Sequence, residues 1–425
     1  MVTFEGATQG FARLIAESLG PEAAARGRVI RDIYGQLRFA TTAENAARLT
    51  PRLDDVMGAL GAYAAPRDEV IAGVDDEDLR AFLDEPSAAI PDTDFRVIDR
   101  RVAGEEWLTR PVALVESPPR LVFHSVKGGV GRSTALAITA ADLASRGHNV
   151  LVIDLDLEAP GLGSMLLPRE VMPDYGVVDW FASLAAGADS DDMLADMTGP
   201  SPFTSNRAVV DVVPARGKSP GDYLAKLARA YMPGSARRDY ADFGFARKTD
   251  LLVEKLCKGG RYNFVLIDAR AGLHETSGSL LLGLGAKALL FGTDSDQTFD
   301  DFTILFAALQ ESFDPDLKGA DIRDAFKMVH AKAPRDSDDR RGFRERSWDL
   351  WTNSLYDDLS APSEETVFNF DLNDEDAPHF PLAIIGDESY ARFNPRTDTY
   401  QLDALAYAPV FGDFLDGVRQ ILGLT

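Results

Sequence analysis

The sequence contains very little cysteine, no long apolar run and a shortage of positive charge. Cys257 is the only cysteine among 425 residues, so no disulfide can form within the chain. A chain without disulfides fits a reducing compartment, and we expect a cytoplasmic location. No zinc-ligand spacing of cysteine and histidine and no Ser/His/Asp triad emerges.

No apolar stretch reaches the length that a membrane-spanning helix requires. The best apolar runs, LLLGLGAKALLFG and YNFVLID, have the length of a buried helix and a buried strand. The first twenty residues lack a basic start followed by an apolar run, so we do not expect a secretory signal peptide. Internal repeats and low-complexity tracts are also absent, which leaves an ordinary globular protein.

Positive charge is scarce: 44 lysine and arginine residues stand against 68 aspartate and glutamate residues, for a formal net charge of -24. Such a surface repels the phosphates of nucleic acid at long range. It repels anionic lipid for the same reason. We therefore expect no membrane partner, and the charge disfavours nucleic acid as a partner.

The length predicts two domains. Residues 1–115 resemble a small α+β accessory domain, with a hairpin around Gly35, a helix over 41–64 and a strand near 94–102. Proline-bearing connectors follow, and the boundary is placed near Pro118. Residues 119–425 then form the second domain with a C-terminal extension. Nothing in residues 1–115 carries recognisable chemistry, and a docking or regulatory role is predicted for them.

The second domain alternates strands and helices. Its predicted strands are apolar throughout: RLVFHSV, NVLVIDLDL, AVVDVVPA, YNFVLIDA, KALLFGTD and FKMVHAKA. Strands of this kind are typical of a parallel sheet that helices cover on both faces. The predicted fold class is therefore α/β, a mostly parallel sheet between helices, with a smaller N-terminal α+β domain.

A glycine-rich loop, HSVKGGVGRSTALA, lies between the first of these strands and the helix that follows. An ordinary phosphate-binding loop has the pattern G-x-x-x-x-G-K-[ST]. Here Val126 occupies the position of the first glycine, Arg132 replaces the lysine, and Lys127 is an additional lysine early in the loop. The alternatives are a glycine-rich turn without a ligand and a working nucleotide site of a different kind.

The chemistry of the loop favours the nucleotide site. Gly128, Gly129 and Gly131 let backbone N–H groups turn inward, and the N-terminus of the next helix adds positive charge. Ser133 is placed to ligate Mg²⁺, and Thr134 can donate a hydrogen bond to the α-phosphate.

Carboxylates follow two further strands. Asp154 and Asp156 end VLVIDLD, and Asp268 ends YNFVLID. Carboxyl ends of parallel strands are where open α/β sheets bind ligands. One such carboxylate can hold the water shell of Mg²⁺, while another orients an attacking water. Gly272, in the turn after Asp268, could donate its N–H to the γ-phosphate and so sense hydrolysis. The alternative is an acidic strand end that only caps the next turn.

KGGVGRST, LVIDLDLEAPGL and FVLIDARAG together resemble the deviant Walker A, Walker A′ and Walker B motifs of the ParA/MinD ATPases. The chain is most similar to the variant group whose loop reads KGGVGR. The resemblance spans Leu121 to Ala333. It implies a P-loop fold, ATP and Mg²⁺ as cofactors, a homodimer formed around nucleotide, and a protein partner that the sequence does not identify.

The resemblance also assigns roles to residues. Lys127 would be the signature lysine that reaches the partner's ATP, Arg132 would bind the β- and γ-phosphates, and Asp156 would position the hydrolytic water. The nucleotide contacts implied are Lys127, Gly128, Gly129, Val130, Gly131, Arg132, Ser133, Thr134 and Gly272. The Mg²⁺ ligands implied are Ser133, Asp154 and Asp268.

Two departures from the family pattern affect these expectations. Arginine is a planar fork with a fixed charge, and it is bulkier than lysine. We therefore expect tight ATP binding with slow hydrolysis. Arg270 replaces a proline common after the Walker B aspartate, and it is either a surface arginine or a contact to the γ-phosphate or partner subunit. For adenine the candidates are Asp294, Lys332 and Pro334.

Other segments carry weaker signals. The basic run Arg340–Arg346 is predicted to be a solvated mixed-charge helix, and the acidic stretch 371–379 an acidic surface loop. The last helix has an apolar stripe beside an acidic polar face, so it should pack on the core and not on a membrane. The rival functions are an ATP-gated scaffold in a partition, positioning or defence system, and a bacterial-type tyrosine kinase, whose C-terminal tyrosine cluster is missing.

Overall fold

The computed structural model describes residues 2–85, 87–101, 105–188, 191–202, 208–219, 221–232, 234, 243–313, 320–358 and 367–424. These residues form two compact units, which meet in the chain between Leu108 and Thr109. Within the described part of the chain, no helix has both the length and the apolar character needed to cross a membrane.

The first unit is an α+β unit built on a five-stranded sheet. Its strands are β1 (Gly27–Arg31), β2 (Leu37–Thr42), β3 (Ile71–Val74), β4 (Ala88–Ala89) and β5 (Arg96–Asp99). Its helices are α1 (Phe4–Leu19), α2 (Ala43–Leu49), α3 (Leu53–Leu60) and α4 (Asp76–Asp84). The strand order is β3-β2-β1-β5-β4, with β1 antiparallel to β2 and parallel to β5. The predicted hairpin around Gly35 is confirmed.

The helix predicted over residues 41–64 is broken in two. A short 3-10 turn, Thr50–Arg52, separates α2 from α3, with Pro51 in its first turn. Proline has no N–H to donate to the preceding turn, so a continuous helix cannot pass through this position without strain. The core beneath is aromatic: Phe39 and Phe95 are fully buried and meet edge to face at 5.9 Å between ring centroids.

The second unit is built on an eight-stranded sheet. Its strands are β6 (Arg120–Ser125), β7 (Val150–Asp154), β8 (Gly199–Pro200), β9 (Val210–Val213), β10 (Phe264–Asp268), β11 (Lys287–Gly292), β12 (Phe326–Ala333) and β13 (Leu382–Ile385). The order is β13-β12-β11-β6-β10-β7-β9-β8, and every pair is parallel except β8 with β9. The predicted fold class and all six predicted strands are confirmed; β8 and β13 were not predicted.

Helices flank this sheet. They are α5 (Arg132–Ser145), α6 (Leu162–Leu166), α7 (Val177–Ala185), α8 (Asp191–Ala195), α9 (Tyr223–Ala230), α10 (Phe245–Cys257), α11 (Glu275–Leu282), α12 (Asp296–Ser312), α13 (Arg341–Thr352), α14 (Glu388–Ala391) and α15 (Ala404–Ile421). Leu121 and Phe123 point to one face of β6 and share a core cluster with residues of α5 and α15. Val122 and His124, which alternate with them on the other face, are also fully buried. Both faces of the central strands are therefore covered, which explains their unbroken apolar sequence.

The C-terminal helix α15 packs on the core, as the sequence predicts. Phe411, Phe414 and Val418 are buried in the cluster that contains β6 and α5. Asp142 of α5 accepts hydrogen bonds from Tyr407 Oη at 3.2 Å and from Arg419 Nη1 at 2.8 Å. These contacts fix the C-terminal segment to the helix that follows the glycine-rich loop.

Candidate nucleotide-binding site

The glycine-rich loop, residues 126–131, leads from the carboxyl end of β6 into α5, which begins at Arg132. Gly129 and Gly131 have φ angles of 76° and 95°, a backbone region that side chains disfavour. A Cβ built on Gly128, Gly129 or Gly131 would meet no atom within 4 Å. The loop therefore encloses open space, a cavity of about 430 Å³ lined also by Ser133, Thr134, Asp156, Arg270 and other loop residues. We call residues 126–133 the phosphate loop.

Two strands beside β6 bring carboxylates to this loop. Asp268 at the end of β10 lies in register with Asp154 at the end of β7, and β10 is also paired with β6. Asp154 and Asp268 are each only 1% exposed, and Asp156 lies two residues beyond the end of β7. Three carboxyl groups, at 154, 156 and 268, thus gather where the sequence predicts the metal side of the site.

Arg132 turns into this cluster. Its Nε donates to Asp268 Oδ1 at 2.6 Å, and its Nη2 donates to Asp156 Oδ2 at 3.1 Å. Its remaining nitrogen, Nη1, is buried and has no hydrogen-bond partner within the described part of the chain. Arg132 therefore joins Asp156, the predicted catalytic carboxylate, to Asp268, a predicted metal ligand, and retains one unused donor.

Ser133 is held by the same aspartate. Its hydroxyl donates to Asp268 Oδ2 at 2.6 Å, so the two oxygens of Asp268 are divided between Arg132 and Ser133. Asp154 instead accepts backbone N–H groups, from Asp156 at 3.2 Å and from Gly163 at 3.4 Å. Ser133 is thus in direct contact with Asp268, and Asp154 lies beside Asp268 on the neighbouring strand.

Burial dominates the electrostatics of this cluster. It raises the pKa of Asp154 to about 8, with repulsion from Asp268 adding to the effect. It also raises the pKa of Asp268, against the attraction of Arg132. Burial opposes the charge of Arg132, but Asp268 and Asp156 outweigh it and raise the pKa of the guanidinium. Asp154 therefore holds a proton at neutral pH when no cation is bound, and a divalent cation would favour its ionised form.

Lys127 lies at the exposed start of the loop. Its Nζ donates to Gln297 Oε1, near the start of α12, at 2.6 Å. No ion pair within the described residues involves this lysine. Its side chain is therefore held by one neutral group at the surface, in contrast to the buried Arg132.

Gly272, predicted to contact the γ-phosphate, has its N–H engaged elsewhere. It donates to the backbone oxygen of Ser125, the last residue of β6, at 2.9 Å. Contact with a phosphate would require this hydrogen bond to break. Arg270 lines the phosphate cavity. Its guanidinium forms an ion pair with Glu158 at 2.6 Å, so in this structure it already has an anionic partner.

A second cavity, of about 600 Å³, adjoins the first through Gly129, Val130, Gly131 and Thr134. Its other walls come from Lys332, from the segment after β13 and from α15, with Tyr390, Phe393 and Phe411 providing aromatic surface. Lys332 has a φ of 56°, and its Nζ donates to Gly129 O at 2.8 Å. Of the predicted adenine candidates, Lys332 lines this cavity, whereas Asp294 forms an ion pair with Arg346 at 3.2 Å.

Sequence reasoning missed the wall formed by residues 384–393. These residues are remote in sequence from the phosphate loop, and the four-residue strand β13 gives too short an apolar run to be recognised. His124, in contrast, behaves as predicted: it is fully buried, and burial together with Arg132 lowers its pKa to about 3, as expected for a packed neutral side chain.

A mostly parallel sheet flanked by helices, with a glycine-rich loop between a central strand and a helix, defines a P-loop nucleotide-binding protein. Within this class, residues 121–331 match the family model described as the CobQ/CobB/MinD/ParA nucleotide binding domain. This match confirms the resemblance of the segment to ParA/MinD. No curated protein sequence matches the chain.

Solved structures of the same kind resemble the fold. A pNOB8 ParA bound to nonspecific DNA is 17% identical, with a TM-score of 0.43 over 72% of this chain and 97% of that chain. The Pyrococcus furiosus cell division ATPase MinD is 20% identical, with a TM-score of 0.42 over 72% and 99%. A chain of the MinC:MinD cell division protein complex from Aquifex aeolicus is 18% identical, with a TM-score of 0.42 over 72% of this chain and 96% of that chain. Similarities of this size do not identify a ligand or a partner.

Proposed function

We propose that this protein is an ATP·Mg²⁺-binding molecular switch that dimerises around nucleotide and hydrolyses ATP slowly to ADP and phosphate. The observation that carries the proposal is the position of Arg132, between Asp268 and Asp156 at the mouth of the phosphate cavity. Arg132, which we expect to bind phosphate, is held by Asp268 and Asp156, which we expect to serve Mg²⁺ binding and hydrolysis.

The two adjoining cavities suit the two halves of a nucleotide. The phosphate cavity offers backbone N–H groups of the loop and the N-terminus of α5, which together favour bound phosphate. The larger cavity offers the aromatic and aliphatic surface on which a base can stack, with Thr134 at the junction. We propose that the triphosphate occupies the first and the nucleoside the second.

The residues present also fit Mg²⁺, which prefers oxygen ligands and carboxylates. Ser133 would hold the ion directly, and Asp154 and Asp268 would hold it or its water shell. When bound with ATP, Mg²⁺ neutralises charge on the β- and γ-phosphates. The oxygen ligands that Ser133, Asp154 and Asp268 offer support this assignment, while the unused Nη1 donor of Arg132 suits a phosphate oxygen.

Hydrolysis requires Asp156 to orient a water for in-line attack on the γ-phosphate. In this structure one oxygen of Asp156 accepts from Arg132 and the other accepts from the N–H of Ala159 at 3.2 Å. Phosphates that attract Arg132 would release Asp156, but an arginine can bond a phosphate and a carboxylate at once. Incomplete release would keep turnover slow.

A nucleotide-gated scaffold that binds ATP with little hydrolysis is the second candidate. Two groups that should respond to the γ-phosphate favour this candidate. Both Asp156 and the Gly272 N–H already have hydrogen-bond partners within the chain. The two candidates share the same site and differ in the fate of the γ-phosphate.

Dimerisation is proposed on the exposure of Lys127 and on its role in the ParA/MinD family. A protein partner that distinguishes the nucleotide states, and a cytoplasmic location, complete the proposal. Nucleic acid is disfavoured by the net charge of -24, but this prediction is not supported by the comparison with a ParA bound to nonspecific DNA. A DNA duplex should therefore be included when partners are tested with ATP.

Light scattering coupled to size exclusion, with and without ATP·Mg²⁺, tests the switch directly. The expected mass is one chain of 46.2 kDa without nucleotide and twice that with ATP. A malachite-green assay in parallel should show slow phosphate release. A protein that stays monomeric with bound ATP would overturn the dimerising switch.

Asp156→Ala separates the ATPase from the scaffold. An ATPase should lose phosphate release and accumulate as the ATP-bound dimer, because binding persists while water is no longer positioned. The matched control is Asp300→Ala, which removes an exposed carboxylate of α12. Unchanged dimer and unchanged phosphate release in Asp156→Ala would favour the scaffold.

A further inference from the structure

A separate cavity of about 450 Å³ lies at the carboxyl end of β9, beside α6. Four cationic side chains line it: Arg169, Arg216, Lys218 and Arg396. Asp154, at its inner wall, is the one acidic residue in the described lining. We call this cavity the basic pocket. It shares no lining residue with the phosphate cavity.

The positive charge of the basic pocket is largely uncompensated. Lys218 pairs with Asp174 at 3.0 Å, but both side chains are more than half exposed, so water screens the pair. Arg396 donates to the backbone oxygen of Ser164 at 3.1 Å, which carries no charge. Within the described part of the chain, Arg169 and Arg216 have no ion-pair partner. A concave surface of one sign raises the local concentration of the opposite ion.

This concentration of cations is unexpected in so acidic a chain, with 44 basic and 68 acidic residues. The four side chains are exposed, so water weakens their mutual repulsion, and an anion between them would be attracted by all four. The chain has many carboxylates, but apart from the exposed pair of Lys218 with Asp174, none among the described residues forms an ion pair with these four cations. The pattern therefore points to a ligand that supplies several negative charges.

The backbone that carries Arg216 and Lys218 is held by neighbouring segments. Val177 N–H donates to Pro214 O and Lys218 N–H donates to Pro173 O, each at 2.9 Å, so the segment after β9 is bonded on both sides of Arg216. A Cβ at Gly217 would collide with the backbone of Asp174. Because the backbones approach so closely, Arg216 and Lys218 are presented from a fixed position, which lowers the entropic cost of binding.

We propose that the basic pocket binds a small organic phosphate as a second ligand, in addition to the nucleotide. Phosphate carries up to two negative charges per group, and arginine bonds it through two parallel N–H donors. The volume is that of a small-molecule site. Walls from residues 160–172, from 214–218 and from Arg396 surround the cavity, which suits a compact molecule better than an extended chain.

Isothermal titration with inorganic pyrophosphate, in the presence of saturating ADP·Mg²⁺, tests the proposal. The expected result is one pyrophosphate per chain while ADP stays bound. Arg216→Ala and Arg396→Ala should each weaken pyrophosphate binding about tenfold, the loss typical of one charge-assisted contact. Arg216→Lys should retain part of the affinity, because lysine keeps the positive charge but lacks the planar guanidinium with its two parallel N–H donors.

A control variant separates this site from the effect of net charge. Arg67→Ala, which removes an exposed arginine of the first unit, should leave pyrophosphate binding unchanged. ADP·Mg²⁺ fills the phosphate loop throughout, so pyrophosphate that binds while ADP stays bound occupies a different site.

Three results would overturn the proposal. Competition between pyrophosphate and ADP for one site would place pyrophosphate in the phosphate loop. Arg216→Ala and Arg396→Ala could bind pyrophosphate as the unaltered protein does. The same variants could lose affinity for a DNA duplex and keep it for pyrophosphate, and the pocket would then belong to a nucleic-acid surface.

Discussion

The two ends of the phosphate loop carry the same charge in opposite surroundings. Arg132, at the end, is 8% exposed and bonded to two carboxylates, whereas Lys127, at the start, is exposed and bonded to one amide. The difference shows that a cation in such a loop can either stabilise its own fold or remain available to bind another molecule. Arg132 compensates buried acids in the absence of ligand, and Lys127 stays accessible.

Arg132→Ala should have the largest effect on stability. It leaves Asp268 without its buried cation, and breaking such a pair costs about 3 kcal/mol. The free energy of unfolding, measured in urea by tryptophan fluorescence without nucleotide, should fall by about that amount. Trp180, Trp348 and Trp351 lie in the second unit, so the signal reports mainly on it.

The matched control for this change is Asp268→Asn, alone and combined with Arg132→Ala. The double variant should be more stable than the sum of the two single losses predicts, because the uncompensated carboxylate is gone. A loss below about 1 kcal/mol in Arg132→Ala would contradict the view that Arg132 stabilises the empty site.

Arg132→Lys should change hydrolysis. Lysine is a single point charge and cannot reproduce the two-pronged bond to Asp268 and Asp156. Asp156 should then be released when ATP binds, and phosphate release should rise about tenfold, equivalent to about 1.4 kcal/mol in the barrier. Arg132→Gln, which lacks the charge, should instead weaken ATP binding. Equal or slower phosphate release in Arg132→Lys, with ATP bound, would refute the explanation of slow turnover.

The pKa of Asp154, raised to about 8, gives stability a pH dependence. An unfolded aspartate has a pKa near 3.9, so between about pH 4 and pH 8 the folded state holds a proton that the unfolded state does not. Its contribution is complete below about pH 4 and is lost as pH rises toward 8. In the absence of nucleotide and Mg²⁺, the free energy of unfolding should fall by about 1 kcal/mol per pH unit from pH 5 to pH 7.

Asp154→Asn is the control for this pH effect. The amide has nearly the same shape and does not titrate, so the variant should have a flatter profile than the unaltered protein. The same slope in both proteins would assign the pH dependence to other groups.

Lys127→Ala should have the smallest effect on stability. An exposed lysine held by one neutral hydrogen bond contributes little, and the change should stay within about 0.5 kcal/mol. ATP-dependent dimerisation should nevertheless be lost in light scattering, while ATP still binds. Lys258→Ala removes an exposed lysine at the end of α10 and should leave the dimer intact. A Lys127→Ala protein that dimerises with ATP would refute the role given to Lys127.

Much of the central sheet could be predicted from the sequence, because strands such as β6, β7 and β10 are buried on both faces and are apolar throughout. The meeting of Asp154 with Asp268 follows from that prediction, since parallel strands bring their carboxyl ends to one edge. The direction of the Arg132 side chain does not follow. It depends on the energetic balance between buried carboxylates and solvent, which a motif does not encode.

Other features could not be predicted from the sequence because they join residues that are remote along the chain. The bond from Lys332 to Gly129 joins positions 203 residues apart, and the basic pocket gathers Arg169, Arg216 and Arg396 from three distant segments. None of these residues forms a run or a recurring spacing. Only the folded chain brings them together, so no local pattern could have indicated either contact.

The order of the second sheet has a consequence for aggregation. Its outermost strands in the described chain are β8, with two residues, and β13, with four and an irregular register beside β12. Long, flat outer strands invite the strands of other molecules to add to them, and short or irregular ones discourage it. The edges of this broad apolar sheet therefore offer little template for the addition of further strands. A dimer that forms with ATP would have to use another surface.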